Sequence, residues 1–118
     1  MIQTPNRGEV WVADLNPRQG TEPGMTRPVL IVQSQTLLNV EHPSTLIVPL
    51  TTKLTDNAEP LRVRVAPSGR LRQKSDLLID QVRAIDNRRF VGRPLTKFGE
   101  TFMARVGRAL EEVLGLAI

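Results

Sequence analysis

Pro28-Val29-Leu30-Ile31-Val32-Gln33 and Thr45-Leu46-Ile47-Val48-Pro49-Leu50 are short, nearly continuous apolar runs rich in β-branched residues. Runs of this length and make-up are expected of strands buried on both faces, so they are the predicted core. The pattern around them is also mainly that of strands. Glu9 to Ala13 alternates, with Val10 and Val12 on one face and Trp11 and Ala13 on the other, before Asn16-Pro17 marks a turn. A loop follows, Arg18-Gln19-Gly20-Thr21-Glu22-Pro23-Gly24-Met25-Thr26, leading into Arg27 and the first core run. Downstream, Leu61 to Val65 alternates strictly, so Arg62 and Arg64 share one face opposite Leu61, Val63 and Val65, as in a half-exposed strand. Leu77 to Ile85 reads as another strand, and Phe90 to Gly92 as a short one closed off by Arg93-Pro94. A helix between Gln35 and Asn39 is only weakly signalled.

The last stretch changes period. Phe102, Val106, Leu110, Val113 and Ala117 recur at helical spacing, with Arg105, Arg108, Glu111 and Glu112 on the other side. This predicts an amphipathic C-terminal helix with Thr96 as its N-cap. The fold class is therefore mainly β with α: about six short, predominantly antiparallel strands in a small barrel, because closure removes exposed edges.

Length and composition bound the rest. The 118 residues, 40% of them hydrophobic, fit a single domain over 1–118 with a real core. No apolar run approaches the ~20 residues needed to cross a bilayer, and Met1 to Gly8 lacks a basic-then-apolar export signal, so a cytoplasmic protein with no membrane contact is expected. The absence of Cys excludes disulfides, Cys-ligated zinc, iron–sulfur clusters and thiol nucleophiles. A single His excludes any mechanism needing two imidazoles. Aromatics at 3% argue against rows of stacking rings for nucleic acid. Net charge is +4, and Lys53, Arg62, Arg64, Arg70, Arg72 and Lys74 against Asp56 and Glu59 make a surplus equal to all of it. An Arg-rich cluster suggests a polyanionic partner, although solvated surface explains the same charge.

Few residues can carry chemistry. His42 lies in a loop composition, Val40-Glu41-His42-Pro43-Ser44, and reads as a surface residue. Asp76 and Asp80, four apart on a predicted strand, could share a cation but read as surface charges paired with nearby Arg, leaving no metal site. There remain Arg27, at the start of one core strand, and Thr51-Thr52, at the end of the other. Ends of buried strands are well placed for a site because the sheet fixes residues that face solvent. The alternatives are a surface Arg and a strand-end hydroxyl that caps a backbone group.

Four ordered motifs then carry a resemblance over nearly the whole chain. They are Arg7-Gly8-Glu9-Val10-Trp11 with Asp14-Leu15-Asn16-Pro17; Gly20-Thr21-Glu22-Pro23-Gly24-Met25-Thr26-Arg27-Pro28-Val29-Leu30; Ile47-Val48-Pro49-Leu50-Thr51-Thr52; and Asp80-Gln81-Val82-Arg83-Ala84-Ile85. Together they resemble the MazF/PemK/Kid family of toxins from type II toxin–antitoxin systems. The resemblance implies an SH3-like barrel with flanking helices, in a homodimer whose halves form a groove. It implies metal-independent, sequence-specific cleavage of single-stranded RNA to a 2′,3′-cyclic phosphate and a 5′-hydroxyl, with no cofactor. It also implies a cognate antitoxin, whose acidic C-terminal segment would fold on binding. Arg27 and Thr51 match the family's catalytic Arg and Thr, while Thr21, Glu22, Thr52 and Gln81 match positions near bound RNA.

The residues suit that chemistry. RNA supplies its own nucleophile, so the protein needs only to bind the phosphate, stabilise the transition state and manage two protons. Arg27 can hold two phosphate oxygens and Thr51 can donate to a third. A guanidinium is a poor base, which leaves Glu22, water and the substrate phosphate as alternatives. Two other functions fit the same fold: a CcdB-like gyrase poison, marked by a C-terminal Trp where this chain has Gly115-Leu116-Ala117-Ile118, and a domain that binds nucleic acid without cutting it.

Overall fold

The computed structural model describes residues 4–17 and 19–117. Arg18, in the predicted loop after Pro17, and Ile118 lie outside the described residues. In chain order the elements are β1 (Glu9–Asp14), β2 (Thr26–Ile31), α1 (Gln35–Asn39), β3 (Ser44–Thr51), β4 (Arg62–Val65), β5 (Ser75–Leu78), β6 (Arg83–Asp86), β7 (Phe90–Lys97) and α2 (Glu100–Val113). The strands run in the order β4-β5-β3-β2-β1-β7, all pairs antiparallel, and β6 pairs with the outer half of β3. No helix among the described residues is long and apolar enough to cross a membrane.

The continuous apolar runs have a direct cause, because successive side chains on these strands enter two different cores. Val10, Leu30, Val48 and Leu50 join Val63, Val65, Leu77 and Ile79 on the inner face, where Met103, Val106 and Ala109 of α2 cover them. Trp11, Ala13, Val29, Ile31 and Ile47 pack on the outer face with Leu38 of α1, Ile85 and Phe90. Trp11 and Phe90 meet there in a tilted pair with centroids 5.6 Å apart. Each of the larger side chains contributes about 1.5–3 kcal/mol by leaving water, which fixes β2 and β3 rigidly at the centre.

The two ends of the strand path meet without a ladder. The turn after β4 folds onto β7: the Arg70 backbone N–H donates to the Leu95 carbonyl at 2.8 Å, and the hydroxyls of Ser68 and Thr96 share a hydrogen bond of 2.8 Å. Gly69 makes this approach possible, since its φ is +53° and a Cβ there would sit 2.8 Å from the Leu95 carbonyl oxygen.

Several expectations are corrected. Thr96 does not cap α2; it lies within β7, and the helix starts after Gly99. β7 continues through Arg93-Pro94 because β1 is its ladder partner, and an edge strand tolerates the missing proline N–H. Leu77 to Ile85 is not one strand: a 3-10 turn at Ile79–Gln81 separates β5 from β6 and lets β3 pair with each in turn. The buried stripe of α2 runs through Met103, Val106 and Ala109, with Phe102, Leu110 and Val113 flanking it, whereas Ala117 lies exposed beyond the helix. The short helix at Gln35–Asn39 is present.

Candidate active site

Arg27 opens β2 opposite Ala13, and Thr51 closes β3. The guanidinium of Arg27 spans the gap between these strand ends: Nε donates to the Gly24 carbonyl at 3.0 Å and Nη1 to the Leu50 carbonyl at 3.3 Å. Thr51 Oγ1 accepts the Lys53 N–H at 3.2 Å. That bond is the backbone cap anticipated for a strand-end hydroxyl, and because the oxygen is the acceptor, the hydroxyl hydrogen remains available to a ligand.

Both side chains line a cleft of about 550 Å³, together with Thr52, Lys53, Arg70 and Arg72. Among the described residues no carboxylate lines this cleft, whereas Arg27, Lys53, Arg70 and Arg72 all do. Such a site attracts anions with spaced negative charges. Arg70 is aimed from the turn after β4 by its own backbone bond to β7 and by Nη2, which donates to the Pro94 carbonyl at 2.6 Å. Lys53, Arg70 and Arg72 were visible in the sequence as part of a basic cluster. What the sequence does not reveal is that the turn carries Arg70 and Arg72 to the start of β2, because that depends on the long-range contact with β7.

A larger cavity of about 680 Å³ lies under the segment between β3 and β4, and its chemistry is different. Its arginines are paired: Arg64 with Asp76 at 2.5 Å and Asp56 at 2.8 Å, and Arg105 with Glu59 at 2.6 Å. Charge there is spent on holding the fold. Asp76 is 1% exposed, not the surface charge expected, and also accepts the Thr55 N–H at 2.8 Å. Burial pushes its carboxyl pKa up, but the Arg64 hydrogen bond, the Thr55 N–H and the charges of Arg64 and Arg62 outweigh this and hold it below the usual range. Asp80 sits apart on the 3-10 turn, exposed, so the two aspartates do not share a face. Among the described residues no three His, Cys, Asp or Glu side chains gather as a metal site.

The remaining site residues divide. Thr52 joins Arg27 and Thr51 in the cleft. Thr21 and Gln81 come together in a separate depression of about 460 Å³. Glu22 is exposed on a turn where its N–H donates to the Gln19 carbonyl, and it lines neither cavity among the described residues. His42 is exposed, with Nδ1 3.0 Å from the Ser44 carbonyl oxygen.

Comparison with known proteins agrees with this architecture. Residues 6–114 match the family model described as PemK-like, MazF-like toxin of type II toxin–antitoxin system. Over 111 residues the chain is 35% identical to Endoribonuclease MazF of Staphylococcus epidermidis, covering 93% of this chain and 91% of that one. In fold it is similar to MazF from Deinococcus radiodurans, with a TM-score of 0.77 at 24% identity, covering 96% of this chain and 98% of that one. It is also similar to an endoribonuclease from Mycobacterial species solved in complex with its cognate antitoxin, with a TM-score of 0.72 at 24% identity, covering 99% of each. With the family match spanning almost all of the described barrel and helix, the chain belongs to the PemK-like, MazF-like toxins of type II toxin–antitoxin systems.

Proposed function

We propose that this toxin is a sequence-specific endoribonuclease that cuts single-stranded messenger RNA in the cytoplasm without a metal ion. The observation that carries the reading is the cleft where Arg27 and Thr51 meet amid Lys53, Arg70 and Arg72. In the reaction the RNA 2′-hydroxyl oxygen attacks the adjacent phosphorus and the bond from phosphorus to the 5′-oxygen breaks. The products are a 2′,3′-cyclic phosphate and a 5′-hydroxyl. The 2′-hydroxyl proton passes to water or a phosphate oxygen, and the departing 5′-oxygen gains one. Arg27 and the Thr51 hydroxyl donate to the non-bridging oxygens as charge gathers on them, each worth about 3–4 kcal/mol where water is scarce. The outlying cations hold neighbouring phosphates. Thr21, Thr52 and Gln81 contact the flanking nucleotides. Glu22, which lines neither cavity among the described residues, takes no proton in this scheme.

Two copies of the chain pair to form the full groove, and an antitoxin with an acidic C-terminal segment neutralises it. The test is incubation of the purified protein with a long RNA in excess EDTA. Cleavage with 5′-hydroxyl ends is expected. Loss of cutting in EDTA with rescue by Mg²⁺ would refute the mechanism, and intact RNA under all conditions would favour a gyrase poison.

A further inference from the structure

The depression that holds Thr21 and Gln81 has a chemistry of its own. Its apolar lining comes from Ala58, the buried Leu78 and Leu61, which is 52% exposed. Its polar groups are Thr21, Thr55, Gln81, Arg62 and the carboxylate of Asp80. Arg62 is occupied, donating to the Lys53 carbonyl at 3.0 Å and lying 3.7 Å from Asp76. Asp80, Gln81 and Thr21 make no side-chain hydrogen bond among the described residues. Strand β5 connects this depression to the cleft, for Ser75 at one end of the strand lines the cleft and Leu78 at the other lines the depression. The two hollows adjoin, because Arg62 of the depression donates to the carbonyl of Lys53, a residue that lines the cleft. An extended RNA chain held at Arg27 can therefore reach the depression with a nearby base.

We propose that this depression takes one base of the RNA and that Asp80 makes it selective for guanine; the proposal rests on the nuclease reading above. A carboxylate only accepts hydrogen bonds, and it binds best to two donors side by side. In single-stranded RNA the base edges are open for such contacts. Guanine presents N1–H and the N2 amino group together. Adenine and cytosine present one amino group beside a ring nitrogen whose lone pair repels the second carboxylate oxygen. Uracil presents one N–H between two carbonyls, which repel it on both sides. The Gln81 amide or the Thr21 hydroxyl can donate to guanine O6, while Leu61 covers the ring face.

The test maps the cut ends of a long mixed-sequence RNA, then measures a short RNA carrying a preferred site. Wild type should show guanine at one fixed position near the cut, and inosine there, which lacks the N2 amino group, should lower kcat/KM about tenfold. Asp80→Asn should lose the guanine preference and cut the guanine and inosine RNAs equally. A wild type that cuts RNA with no guanine at any fixed position, or that ignores the inosine change, overturns the base pocket and leaves the nuclease standing. A folded Asp80→Asn that keeps the preference does the same. A wild type that cuts no RNA removes the nuclease reading and the pocket with it.

Discussion

Thr51 and Asp76 are direct partners across the β3–β5 ladder, yet Thr51 opens on the cleft while Asp76 is sealed from water. The segment leaving Thr51 causes the difference. It folds back over β5 and is clipped there by the Thr55 N–H to Asp76. Arg64, the register partner of Asp76 on β4, closes the clip from the other side.

Asp76→Asn should therefore weaken the fold as well as the site. It keeps the shape but takes the carboxylate away from Arg62 and leaves Arg64 with Asp56 alone. Removing one member of a buried pair costs about 3–5 kcal/mol, and the partial exposure of both arginines reduces this to about 2–3. Urea unfolding measures it, and a change under ~0.5 kcal/mol would rule out the clip.

Acid should act through the same groups. The Asp76, Glu59 and Asp86 carboxyl pKa values all lie below the ordinary range, that of Glu59 through its Arg105 hydrogen bond and that of Asp86 at about 2 through its Arg88 hydrogen bond. A lowered folded-state pKa gives stability that is complete above the unfolded-state value near 4 and is lost as pH falls through the folded value. Urea midpoints should be flat above about pH 5 and fall between roughly 4 and 2, with a shallower fall in Asp76→Asn. Constant midpoints down to pH 2 would contradict the assignment.

Arg27→Ala should lower the cleavage rate by about 10² or more while RNA affinity falls much less, because Lys53, Arg70 and Arg72 still hold phosphates. Arg27→Lys should rescue poorly: an ammonium keeps the charge but not the fork that spans the Gly24 and Leu50 carbonyls. Single-turnover rates and a binding titration separate the two effects. A folded Arg27→Ala that cuts at the wild-type rate would remove it from the site.

Thr51→Val should lose most activity and Thr51→Ser should keep much of it, since only the hydroxyl is used. Because Arg27 and Thr51 serve one transition state, the double variant should lose less than the product of the single losses. Full multiplicativity would mean that they act independently.

An acidic peptide from the antitoxin's C-terminus should compete with RNA for the cleft, and both should bind more weakly as salt rises. Unchanged RNA affinity at saturating peptide would require separate sites.

The elements that could be read from sequence are those whose pattern is local. The doubly buried strands β2 and β3 show as apolar runs, and β4 shows as strict alternation. Misreadings arose where two structures share one pattern. Leu78-Ile79 is equally apolar in a strand and in a buried 3-10 turn, and Pro94 ends a central strand but not an edge one. Met103 and Ala109 were missed on α2 because the largest side chains define a stripe offset from the face that contacts the barrel. In the site, Arg27 and Thr51 could be singled out as strand ends. The burial of Asp76 and the convergence of Arg70 depend on contacts between elements distant in sequence, which no local pattern encodes.

Gly69 gives the cleft a weak point far from its chemistry. Any side chain there meets the Leu95 carbonyl and pushes the turn off β7, taking Arg70 and its neighbour Arg72 away from the phosphate path. A cell poisoned by this protein escapes by any mutation that disarms it. Survivors of such a selection would include replacements of this one glycine, in molecules whose reactive groups and folded core are both intact.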